Sequence, residues 1–201
     1  MTAMKKIYLD SRFIGEVPDG DDETVAAAAA DLMRSKGLYE PPTLVQAMFL
    51  HAHAFAETSS YLYSNGIKKW PRSAQTAAPF VVNGVFALEL YIKTLAAIYG
   101  RSLRGHDLIK LFDAMPNEAR ASLSTQFQSA KWQCGIDTLD DLRESLAEIR
   151  KAFEEWRYVY ERAHTGAVKF EALIFALEVF HNTCKTYPEV RRNVGGSSSP
   201  P

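Results

Sequence analysis

Four basic side chains repeat at an interval of seven near the middle and end of the chain: Arg143, Arg150, Arg157 and His164. Seven residues turn an α-helix through about 700°, roughly 20° short of two turns, so the four share one face of a helix that runs that far. Arginine is a permanent cation with a forked donor face suited to phosphate. Histidine titrates near neutral pH and can take or give a proton. Arg157 and His164, in WRYVYERAH, therefore form a workable minimum for metal-independent RNA cleavage. The 2′-hydroxyl needs a base, and the phosphorane that follows needs a positive partner. The same row could meet an acidic partner or another subunit. Its structural alternative is that the arginines lay their stems over core residues and keep their heads in water.

Other titratable residues carry less. Glu89 and Lys93 lie four apart on one helix and can form an ion pair. Arg101 and His106, in RSLRGH, repeat the arginine–histidine pattern in a loop, which shows how readily it arises, and no site is expected there; His106 and Asp107 are expected to cap the helix that follows. His51 and His53 are two apart and point to different faces, so no metal site is expected from them. His181 has no partner in its own segment. Cys134 and Cys184 make neither a disulfide framework nor a metal-ligand spacing, which fits a reducing cytosol. No glycine-rich phosphate loop is present, since GRSLRG lacks the strand-and-helix context.

The helix that must position the row is the clearest pattern in the sequence. Leu139, Leu142, Leu146, Ile149, Phe153, Trp156 and Tyr160 alternate spacings of three and four, which predicts a helix from about Thr138 to Arg162. The basic row borders this stripe. A second apolar helix spans Pro79 to Tyr99, with Val81, Val85, Leu88, Ile92, Leu95 and Tyr99 on one side and Phe86 and Leu90 on another. Further helices are expected over the alanine-rich segment that ends at Gly37, from Thr43 to Asn65-Gly66, over HDLIKLFDAMP, over NEARASLSTQFQSAKW and over AVKFEALIFALEVFHNTCKTY. KIYLDSRFIGEV, at 6–17, suggests a short β-hairpin or extended arm. GGSSSPP reads as a disordered tail.

The whole is expected to be all-α: a bundle of about five to seven helices over 21–190, with an arm at 1–20 and a tail at 191–201. The 201 residues are 47% hydrophobic and 23% charged, and 23 basic against 24 acidic side chains leave a net charge of −1. That is an ordinary globular profile, and it argues against bulk polyanion binding. The N-terminus does not read as a secretory signal, and the longest apolar stretches fall short of the roughly 20 residues a bilayer requires. A cytoplasmic protein without a membrane span is expected.

Three pieces in order, NGVFALELYIKTLAAIYG at 83–100, GHDLIKLF at 105–112 and FEEWRYVYERAH at 153–164, resemble the HEPN (higher eukaryotes and prokaryotes nucleotide-binding) domain superfamily. The resemblance covers roughly Thr43 to Tyr187. It implies an all-α bundle, and in catalytic members an arginine followed by four to six residues and a histidine; Arg157 and His164 match with six between. It further implies a homodimer that joins two such motifs, a metal-independent endoribonuclease of a toxin–antitoxin or antiphage system, and an acidic residue, here Glu89, that orients the arginine. No cofactor or metal is implied. RNA or nucleotide and an antitoxin or other protein are the implied partners. Tyr158 stands where active members commonly carry a polar residue. Members without catalysis act as dimerisation modules that bind RNA, nucleotide or protein, and this is the alternative reading.

Overall fold

A computed structural model of the chain describes residues 3–130, 135–156 and 169–191. The chain is mostly helical, with one two-stranded antiparallel hairpin near its N-terminus. It divides into two compact units, Met1–Pro42 and Thr43–Pro201.

In the first unit, β1 (Met4–Leu9) and β2 (Arg12–Pro18) are joined at Asp10 and Ser11, which both take positive φ, 47° and 64°. Two such residues give a tight turn whose twist matches that of the strands. A hairpin alone is marginal in water, and here α1 (Asp22–Ser35) packs on β2. Ile14, Val17 and Val25 are buried in this unit. Asp21 caps α1 by accepting from the Thr24 amide at 2.7 Å.

The second unit is a helical bundle. It opens with α2 (Leu44–Leu62), which begins at a full capping box: the Gln46 side chain accepts from the Thr43 amide and the Thr43 hydroxyl from the Gln46 amide. The chain does not stop at Asn65-Gly66 but widens into a π-helical turn over Tyr63–Ile67. Gly66 lies so close to Thr76 that a β-carbon there would meet its hydroxyl at 2.4 Å.

Next, α3 (Ala77–Ile98) runs through the centre and packs on α2, α6 and α7. Phe80, Val81, Leu88, Tyr91, Ile92 and Leu95 on it are essentially inaccessible. Each contributes about 1.5–3 kcal/mol where its apolar surface leaves water. With its 3₁₀ lead-in, Ala74–Ile98 is long and apolar enough to cross a bilayer by length and composition, which differs from the expectation that no stretch would be. Its central place explains the composition, since 61% of the apolar window is buried inside the protein. Gly84 lets this helix approach its neighbours closely. A β-carbon there would lie 2.9 Å from Leu173 and 3.0 Å from the Ser59 hydroxyl, which itself donates to the Phe80 carbonyl.

The remaining helices are α4 (Leu108–Asp113), α5 (Asn117–Ser129), α6 (Leu139–Trp156), α7 (Phe170–Lys185) and α8 (Pro188–Arg191). On α6, Leu142, Leu146 and Ile149 are buried, and Leu139, Phe153 and Trp156 pack against the core. The expected stripe is present as far as Trp156. Tyr160, Arg157, Tyr158, Arg162, His164, Cys134 and the tail lie outside the described residues.

Candidate functional site

Glu89 sits on the central helix between Leu88 and Leu90, and its side chain is 9% exposed. A carboxylate taken out of water costs several kcal/mol unless it is paired. Two donors meet the same oxygen, Oε1: Lys93 Nζ at 2.7 Å, one turn along α3, and His106 Nδ1 at 3.0 Å, from the loop before α4. Gly105, at a left-handed φ of 93°, turns the chain at that point. The pairing with Lys93 is the one the spacing predicts. His106, by contrast, does not cap α4. Asp107 does that alone, accepting from the amides of Ile109 and Lys110 at 3.0 and 3.1 Å.

Because Nδ1 faces a carboxylate, it is the donor, and Nε2 is left as the working nitrogen. The His106 side chain is 83% exposed. A shielded carboxylate thus fixes an imidazole that water and solutes can reach. In this arrangement Nε2 of the neutral imidazole can accept a proton from a substrate group, and Nε2–H of the charged form can deliver one. Lys93 adds a positive charge on the same oxygen.

The first two arginines of the basic row meet acids of the neighbouring short helix. Arg143 forms a bidentate pair with Asp113, 2.7 Å for both bonds, and Arg150 Nη1 reaches Asp107 Oδ2 at 2.8 Å. The Arg143 bonds hold the Asp113 carboxyl below its ordinary pKa against the opposing effect of burial. Burial alone would raise the Asp107 pKa, but the Lys110 amide, Arg150 and the Ile109 amide together hold it below the usual value. Arg150 Nε is buried and meets no acceptor among the described residues. Of the residues expected to carry chemistry, Glu89 lies at the centre of a charged cluster; Arg157 and His164 lie outside the described residues.

A second cluster forms around His181, which has no partner within its own segment. His53, Glu57 and Ser60 of α2, Tyr91 of α3, and Glu178 and His181 of α7 line a cavity of about 500 Å³. Positions 53, 57 and 60, and likewise 178 and 181, share a helix face by their three- and four-residue spacing. The Tyr91 oxygen lies 2.8 Å from His181 Nδ1, and the rings of His53 and His181 are 5.1 Å apart. Phe49 packs beside both imidazoles. Burial, with His53 and Lys185 adding repulsion, pushes the His181 pKa down to about 4, so this ring is neutral at physiological pH. Burial raises the Tyr91 pKa well above the ordinary phenol value, with Cys184 and Glu57 adding to it. His51, by contrast, is exposed on the helix.

Among the described residues no group of three or more His, Cys, Asp or Glu is placed to hold a metal ion. No family model matches the chain, and neither a curated protein nor a solved structure shows significant similarity to it.

Proposed function

We propose that the protein is a HEPN-like, metal-independent endoribonuclease that acts as a homodimer, in a toxin–antitoxin or antiphage setting. The observation that carries this reading is the 3.0 Å contact between shielded Glu89 and exposed His106, with Lys93 on the same carboxylate oxygen. General acid–base cleavage of RNA requires an oriented imidazole and a nearby cation, and His106 and Lys93 can supply the two.

In this proposal His106 Nε2 takes the proton of the 2′-hydroxyl, and the 2′-oxygen forms a bond to phosphorus. The bond from phosphorus to the 5′-oxygen breaks, and the departing oxygen takes a proton from the His164 imidazolium. Arg157 stabilises the charge on the phosphorane. The products are a 2′,3′-cyclic phosphate and a 5′-hydroxyl end. Glu89, expected to orient Arg157, acts here by holding His106.

A second reading has its own support. Arg143 and Arg150, half of the basic row, are engaged by Asp113 and Asp107 within the chain. That favours a catalytically silent module, which dimerises and binds RNA, nucleotide or protein. The test is cleavage of single-stranded RNA in chelator by wild type, His164→Ala and His106→Asn. Asparagine keeps a donor near Glu89 but lacks Nε2. Cleavage lost in both variants supports the enzyme with this site. Cleavage that survives both sinks the site assignment, and no cleavage by any form leaves the silent module.

A further inference from the structure

We propose that the cavity between α2, α3 and α7 binds a small organic cation, an amine or guanidine carried on a flat apolar body. The cavity's volume of about 500 Å³ falls within the ~300–1,000 Å³ that small-molecule sites occupy. Its walls are of two kinds. One is ring surface: His53 and His181 lie 5.1 Å apart, backed by Phe49, whose ring centre is 6.0 Å from His53 and 5.4 Å from His181. The other is carboxylate, from Glu57 on α2 and Glu178 on α7.

Charge decides the class of ligand. Among the described residues no lysine or arginine lines the cavity. His181 stays neutral at physiological pH because burial opposes its charging, and Lys185 on the same helix adds to that opposition. The two carboxylates are therefore not cancelled by that ring. Glu57 has His53 Nε2 at 3.6 Å, too long for a strong hydrogen bond. An ammonium or guanidinium would gain charge-assisted bonds from these oxygens, and its body would gain contact with the rings. A phosphate or carboxylate ligand would instead meet two like charges. The described lining also lacks the ligand set a metal ion needs.

Orientation comes from the Tyr91–His181 pair. With Nδ1 occupied by the Tyr91 hydroxyl at 2.8 Å, the His181 ring is fixed and Nε2 remains for a ligand. Ser60 supplies a further hydroxyl at the rim. Glu89 and Tyr91 are two residues apart on α3 and so lie on different faces. The cavity is accordingly separate from the Glu89–His106 cluster and does not depend on the ribonuclease reading.

The test uses the full chain and two probes of one shape, tyramine and its uncharged counterpart tyrosol. Binding is followed by calorimetry and by the ring resonances of His53 and His181. Tyramine is expected to move both resonances and to bind at least about tenfold tighter than tyrosol, the factor that one charge-assisted contact supplies. Glu57→Gln combined with Glu178→Gln, with the fold checked by circular dichroism, is expected to remove that preference. Resonances that stay still at millimolar tyramine would overturn the proposal. So would equal binding of tyrosol, or a preference that survives the double substitution.

Discussion

His106 Nδ1 lies 3.0 Å from Glu89 Oε1, and the imidazole is 83% exposed while the carboxylate is 9% exposed. The two residues are seventeen positions apart in sequence and belong to a loop and a central helix. The two neighbours of Glu89 differ in burial, so removing the buried one is expected to cost stability. Removing exposed His106 is expected to cost little stability and, on the proposed function, cleavage. Lys93 is the more buried neighbour, with a side chain 15% exposed.

Lys93→Met is expected to cost about 2–3 kcal/mol, because it leaves a shielded carboxylate short of its counter-charge. His106→Asn keeps a polar contact at the surface and is expected to cost less than about 1 kcal/mol. Urea denaturation of the two variants measures the difference. Equal losses would mean that Glu89 draws its stability from both partners alike.

The depressed pKa of His181 makes stability depend on pH in a definite direction. Its folded value is about 4, against an ordinary value near ~6.5 in the unfolded chain. Between those values the unfolded chain binds the extra proton, so the contribution is complete above pH ~6.5 and lost as pH falls toward 4. Solvent reaches part of the ring and screens the effect, which reduces the expected loss to roughly 1–2 kcal/mol. His181→Gln should flatten that part of the curve of unfolding free energy against pH.

At Gly84 two effects oppose each other. Alanine is a better helix former than glycine by about 1 kcal/mol, whereas an added methyl at 2.9 Å from Leu173 costs about 1–3 kcal/mol of overpacking. Gly84→Ala is therefore expected to stay within about 1–2 kcal/mol of wild type. Gly84→Val adds bulk and χ1 stiffness without the propensity gain, and should lose about 2–4 kcal/mol. Thermal unfolding midpoints of the two variants settle the order.

Arg143 and Asp113 are each close to half exposed, 42% and 44%. Arg143→Gln is expected to cost no more than about 1 kcal/mol, with the loss shrinking as salt is added. It should also leave any RNA cleavage unchanged. A cleavage defect as deep as that of Arg157→Gln would mean that the whole row faces the substrate.

The helices could be read from the sequence because burial repeats along one strand of code. Leu142, Leu146 and Ile149 follow the three-and-four rule and all three are buried. Thr43 and Asp107 announce themselves as caps by type and position, and both cap. Contacts between segments were another matter. His106 lies in a loop, and nothing nearby in sequence points to Glu89. Likewise, His181 lacks a local partner because its partners, Tyr91 and His53, come from two other helices. The one available signal was composition. Two histidines and two glutamates at three- and four-residue spacing, on α2 and α7, mark polar stripes on otherwise apolar helices. The π-turn after Leu62 was hidden for a related reason, because Asn65-Gly66 stops helices in general and only the approach of Thr76 calls for a glycine there.

The cysteine on α7 has a practical consequence. Cys184 is fully buried, its thiol lies 3.6 Å from the Tyr91 carbonyl, and burial raises its pKa well above that of a free thiol. A thiol reagent cannot reach it, or find it as thiolate, until α7 separates from α3. In a Cys134→Ser background the rate of labelling at Cys184 would thus act as a clock for opening of the bundle centre. Any compound that seats in the adjoining cavity should slow that clock, so occupancy could be read by mass spectrometry with no assay of function.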